Sequence, residues 1–151
     1  MAVLKRVWQR AVRGERTDPW FCLPVGVSML LDAVVSLACQ PGAYWVDPSR
    51  VSEGNATWGC LLARGPAVFI LGFLLYAAVV MGLLLLVSGA PQKLLGAFVL
   101  LAHSYGAASW PHVALGDAAA WWVLMGLFLV EAAAFAAYWH LRGRRMGRRG
   151  T

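Results

Sequence analysis

The sequence is short of charge. Only 13% of its 151 residues are Asp, Glu, Lys or Arg and 60% are hydrophobic, whereas soluble domains carry about 25% charged residues. A water-soluble globular enzyme or binding domain is therefore excluded. The chain also has no internal repeat of the kind that builds alternating access, which argues against a classical single-chain transporter. Its three cysteines, Cys22, Cys39 and Cys60, form no CxxC pair and no metal-type spacing. A Cys39–Cys60 disulfide on the outer side and free thiols packed among helices both remain open.

What charge there is sits in a telling place. The net charge of +6 comes largely from Lys5, Arg6, Arg10, Arg13 and Arg16 at one end and Arg142, Arg144, Arg145, Arg148 and Arg149 at the other. Basic residues flanking apolar runs resist translocation and meet anionic lipid on the cytoplasmic face. The expected partners are thus the bilayer and its anionic lipids at the basic termini, and not nucleic acid.

Four apolar segments of about 20 residues follow one another, each about as long as the hydrocarbon layer requires. They cover residues 20–39, 66–88, 94–113 and 119–140. The first exceeds the apolar core of a secretory signal and reads as a full span. Residues 1–19 form a basic cytoplasmic lead-in, and 142–151 a basic tail that ends the last helix. Gly89, Ala90 and Pro91 read as a tight turn between the second and third spans. The expected architecture is an all-α, polytopic four-helix membrane bundle with both termini in the cytoplasm. Residues 40–65, rich in Gly and Pro and holding Tyr44, Trp45 and Trp58, form the longest loop, with an amphipathic or re-entrant piece around 56–63. Asn55–Ala56–Thr57 there matches a glycosylation acceptor.

Three spans each carry one ionisable residue near mid-bilayer, namely Asp32, His103 and Glu131, and the remaining span carries Tyr76. A rise of 1.5 Å per residue puts Asp32 about 10 Å deep, His103 and Tyr76 about 15 Å and Glu131 about 18 Å. Each buried carboxylate costs on the order of 3 kcal/mol on insertion scales, so these groups should face inward and converge. Ser28, Asp32 and Ser36 recur every fourth residue and form one stripe. His103 shares a face with Gly96, Gly106, Ala107 and Trp110, where small residues allow close helix approach. Glu131 lies with Phe128, Phe135 and Tyr138 as one polar handle in an aromatic wall. His112 and His140 fall at membrane edges and read as interfacial residues.

Such a pocket suits a proton relay or a small lipophilic or ionic ligand. One histidine and two carboxyls also make Asp32, His103 and Glu131 candidates for a bound divalent metal. Single ligands on separate helices nevertheless lack the i, i+4 pairing of specific metal motifs. The contrasting readings are an accessory or scaffold subunit, in which the same residues only lock the bundle, and an intramembrane acid–base or metal-assisted enzyme. The small-residue surface at 132–137 offers a contact face for a homodimer or a larger membrane complex.

Asp32 in the first helix, Tyr44–Trp45 after it, Glu53 and Asn55 in the loop, and His103, Gly106 and Trp110 in the third helix together form a pattern. It resembles an uncharacterised family of small prokaryotic four-helix membrane proteins, with Ala56 standing where that family has proline. The resemblance implies that Glu53 and Asn55 belong with the pocket and that the host membrane is a bacterial or archaeal cytoplasmic membrane, and it implies no activity. A looser similarity to four-helix sterol-isomerase and sigma-receptor-like membrane proteins implies an acid or base role for Glu131 or Asp32 on a hydrophobic substrate.

Overall fold

A computed structural model describes residues 17–147 of the chain. The basic residues up to Arg16, together with Arg148 and Arg149, lie outside the described residues, as do the side chains of His112, Arg144 and Arg145. Among the described residues the protein is all-helical, with no strand. Its α-helices are α1 (Cys22–Ala38), α2 (Ala56–Leu62), α3 (Pro66–Leu86), α4 (Gly89–Leu115) and α5 (Asp117–Gly147). Short 3₁₀ turns precede α1 and punctuate the loop between α1 and α2.

Three segments are long and apolar enough to cross a membrane: Pro19–Ala38, Pro66–Leu86 and Ala119–Arg142. Only 33%, 22% and 17% of them is buried inside the protein, so their apolar side chains point outward. Leu71, Leu75, Trp122, Leu129 and Trp139 are all more than half exposed. Apolar surface on this scale needs lipid, and these are the marks of transmembrane helices. Helix α4 has 27 residues and would reach about 40 Å. Its polar side chains, Gln92, Lys93, His103, Ser104 and Ser109 among them, lower its hydropathy.

The ends of the helices follow local chemistry. Pro66 opens α3 at the position where a missing N–H costs nothing. The residue before it, Gly65, has φ +112°, a conformation that any side chain would strain. Two boundaries differ from the sequence expectation. Gly89–Pro91 is no tight turn, because α4 starts at Gly89 and takes Pro91 into its first turn, where proline is tolerated. Nor do the arginines stop α5, which continues to Gly147. Arginine is a good helix former, so basic residues end the apolar span without ending the helix.

α1 packs most extensively on α4 and also touches α5 and α3, which puts α1 and α4 at the centre. Between α1, α3 and α4 the core consists of Val25, Met29, Phe73, Val80, Leu84 and Val99. A smaller cluster of Tyr44, Leu62 and Phe69 seats the loop and α2 on α3.

A polar clamp closes the end of the bundle where the chain enters α1. Gln92, 2% exposed, accepts from the Asp18 amide at 3.0 Å and donates to the carbonyls of Asp18 and Leu84 at 3.0 and 2.9 Å. Tyr138 donates to Asp18 Oδ2 at 3.1 Å, and Arg142 donates to the Tyr138 hydroxyl at 3.1 Å. Three helices and the lead-in are tied together here. The Phe21 ring lies so close to Gly96 that a methyl group there would collide with it.

Candidate functional site

The i, i+4 stripe of α1 turns its polar edge towards α4. His103, 6% exposed, places Nδ1 2.7 Å from Asp32 Oδ2, and its Nε2 lies 3.2 Å from the Tyr76 hydroxyl. A carboxylate only accepts, so in the neutral ring the proton sits on Nδ1 and Nε2 accepts from Tyr76. Three helices thereby contribute one hydrogen-bonded chain, Tyr76–His103–Asp32. Ser36 donates to the other oxygen of Asp32 at 3.5 Å.

Close approach of α1 and α4 makes this geometry possible. A methyl group on Gly106 would stand 2.5 Å from Asp32 Oδ1, so the carboxylate occupies the space that a side chain would fill. Glycine is required here for room.

The chain of three lies in the wall of a cavity of about 870 Å³. Asp32, Ser36, Tyr76 and His103 line it together with Glu53 and Asn55 from the loop, Trp58 of α2, and Tyr105, Gly106 and Trp110 of α4. Trp58 packs edge-on against Tyr76 with ring centroids 5.3 Å apart. α3 and α4, although joined by only two residues, touch each other sparingly. Ala102, Tyr105 and Ser109 line the cavity and are also exposed, so the cavity opens sideways along α4.

The loop is held over the cavity by hydrogen bonds. Gln40 pairs with the Ser52 backbone in both directions, accepting from its N–H and donating to its carbonyl at 3.0 Å each, and it also donates to the Ser36 carbonyl at 2.9 Å. Glu53 accepts from the Asn55 amide at 2.8 Å. Asn55 caps α2 by accepting from the amides of Thr57 and Trp58 at 3.0 and 3.3 Å. Burial pushes the Glu53 carboxyl above its ordinary range; the hydrogen bond from Asn55 works against that shift, and the Asp32 charge adds to it.

Glu131 does not join this group. Ser104 donates to Glu131 Oε1 at 2.7 Å, and Ser28 lies 3.1 Å from both the Ser104 hydroxyl and the Leu100 carbonyl. Successive helical residues point about 100° apart, so His103 reaches α1 and α3 while Ser104 reaches α5. The aromatic residues expected beside Glu131 divide between surface and interior. Phe128 and Phe135 are 48% and 40% exposed, while Tyr138 is buried and engaged with Asp18.

Asp32 and His103 supply two donors for a cation. Among the described residues no group of three or more His, Cys, Asp or Glu side chains gathers to hold a metal ion, and the expected third ligand, Glu131, is bound to Ser104. Cys22, Cys39 and Cys60 are free thiols. Sequence reasoning passed over Gln40, Ser52 and Gln92. Gln40 and Gln92 border apolar runs, and a glutamine at such a place is the one signal that pointed to them. No protein-family model, curated protein or solved structure matches the chain.

Proposed function

We propose that the chain is a four-helix integral membrane protein of a prokaryotic cytoplasmic membrane, with both ends on the cytoplasmic side, that binds a small lipophilic ligand. In this reading α1, α3, α4 and α5 span the bilayer and the loop of residues 40–65 faces outward. Support for α4 as the fourth span comes from its 27 residues and from its packing on α1. The positions of the basic residues support the orientation.

The observation that carries the reading is the cavity with the Tyr76–His103–Asp32 chain in its wall. A ligand-sized cleft with a few convergent polar groups and several aromatic walls is the usual form of a small-molecule site. Its sideways opening suits a ligand dissolved in lipid. A polar group of the ligand would meet His103 or Glu53 while its apolar body lies against Trp58 and Trp110.

A specific observation favours a purely structural role for Glu131. Its hydrogen bond from Ser104, itself beside Ser28, satisfies it within the helix interface, which is how a packing residue behaves.

Organic extraction of purified protein followed by mass spectrometry tests the ligand reading. Wild type should release a small lipophilic compound in near-stoichiometric amount, and His103→Gln and Tyr76→Phe, purified and extracted at a temperature where both remain folded, should not. Identical extracts from all three would sink it.

A further inference from the structure

The chemistry of the cavity wall narrows the class of ligand. Among the described residues, Asp32 and Glu53 are its two acidic groups, and no Lys or Arg lines it. If His103 is protonated, it balances Asp32 and leaves Glu53; if it is neutral, two carboxylates remain. With the carboxyls ionised, the wall is therefore negative in either state of the imidazole. An anionic ligand would enter against that charge from a medium of low dielectric, where the repulsion is strongest.

The remaining wall is aromatic. Trp58, Tyr76, Tyr105 and Trp110 come from three different helices and border the same space. Aromatic faces attract cations through the ring quadrupole, and the attraction grows when the cation has left water. Carboxylates and several aromatic rings around one cavity form the recognition chemistry of a substituted ammonium group. Tyr105 is 78% exposed and stands at the open side, where a ligand arriving from lipid passes first.

Resting on the ligand-pocket reading above, we infer that the cavity binds a lipophilic organic cation, its charge held between Glu53 and Asp32 and its apolar groups stacked on Trp58, Tyr105 and Trp110. Selection is by sign of charge as well as by size. A protonated or quaternary amine fits; a fatty-acid anion of equal bulk does not.

Equilibrium binding with two probes of the same shape and opposite charge tests this. Full-length protein in neutral phosphatidylcholine nanodiscs is titrated with tetraphenylphosphonium and with tetraphenylborate, and empty nanodiscs give the background. Saturable binding of the cation, with the anion at background, is expected, and Glu53→Gln should weaken cation binding about tenfold. Tyr105→Ala, at an exposed position where folding is not at risk, should also weaken it. Equal saturable binding of both ions would overturn the inference while leaving a ligand pocket in place. Neither ion binding above background would overturn it as well, and the extraction experiment then decides separately whether the cavity holds a neutral ligand. Cation binding undiminished in both variants would put the cation elsewhere on the protein, and the inference would fail.

Discussion

Asp32 and Gly106 meet so closely across the α1/α4 interface that a methyl group at Gly106 would stand 2.5 Å from Asp32 Oδ1. Gly106→Ala has to move the carboxylate, which is the free end of a short side chain, so the fold gives way locally. Gly96→Ala instead has to move the Phe21 ring, which packs on Tyr138 with centroids 5.6 Å apart. Overpacking of that kind costs about 1–3 kcal/mol. Thermal unfolding of the two variants should therefore show the larger loss for Gly96→Ala, and probe binding should show the larger loss for Gly106→Ala. The reverse ranking would contradict the role given to Gly106.

The Asp32–His103 contact at 2.7 Å should be visible as coupling. Removing one partner leaves the other buried without its hydrogen bond, a cost of about 1–3 kcal/mol or more for a charged group. Asp32→Asn and His103→Gln should each destabilise the protein, and the double variant should lose less than the sum of the two. Tyr76→Phe removes a longer, neutral bond of 3.2 Å and should cost about 1 kcal/mol. Additive losses in unfolding free energy would mean that the pair does not act as a unit.

The part of the site that was legible in the sequence is the part governed by a single helix or by the cost of burying charge. Ser28, Asp32 and Ser36 share a stripe because of the 3.6-residue period alone. That Asp32 and His103 face inward follows from the expense of exposing them to lipid. Glu131 obeys the same rule and found a different partner, since depth along a helix says nothing about which neighbour its rotation selects. Gln40, Gln92 and Asp18 were illegible for another reason. Ser52 lies 12 residues from Gln40, Gln92 lies 74 from Asp18, and Tyr138 lies 120 from Asp18, and no local period encodes such pairings. Helix boundaries at Gly89 and beyond Arg142 were misread because turn-forming and membrane-ending residues are also compatible with a continuing helix.

Gln40 predicts a local effect. It joins the end of α1 to Ser52 through two hydrogen bonds at 3.0 Å, while the core between α1, α3 and α4 does not depend on it. Gln40→Ala should accelerate hydrogen exchange at the Ser52 amide and its neighbours, with only a small change in the unfolding temperature. Unchanged exchange there would mean that the loop is held by Tyr44, which donates to the Leu62 carbonyl at 3.2 Å, and not by Gln40.

Cys60 provides a test of orientation. It is exposed on α2, in the loop assigned to the outer side. In a variant that keeps Cys60 while Cys22 and Cys39 are replaced by serine, a membrane-impermeant maleimide added to intact cells should label the protein. Labelling only after the cells are broken would put the loop inside and reverse the proposed topology.

The last prediction concerns acid. Burial and the Asp32 charge raise the Glu53 carboxyl pKa from its ordinary 4.5, against the hydrogen bond from Asn55. A raised carboxyl pKa means that the fold favours the protonated form. The stability Glu53 contributes is therefore full below its unfolded value and is lost as the pH rises through its folded value. Cation binding runs the other way, because it needs the carboxylate. Affinity for tetraphenylphosphonium should fall on acidification with a midpoint above 4.5, at a pH where an exposed glutamate would still be ionised. The other titratable groups facing the cavity are Asp32, His103, Tyr76 and Tyr105, and protonation of His103 also makes the wall less negative. Glu53→Gln isolates the glutamate: the part of the wild-type acid response that is missing from its profile is the part Glu53 supplies. A wild-type profile identical to that of Glu53→Gln would remove Glu53 from the binding charge and leave Asp32 as the only carboxylate available for it.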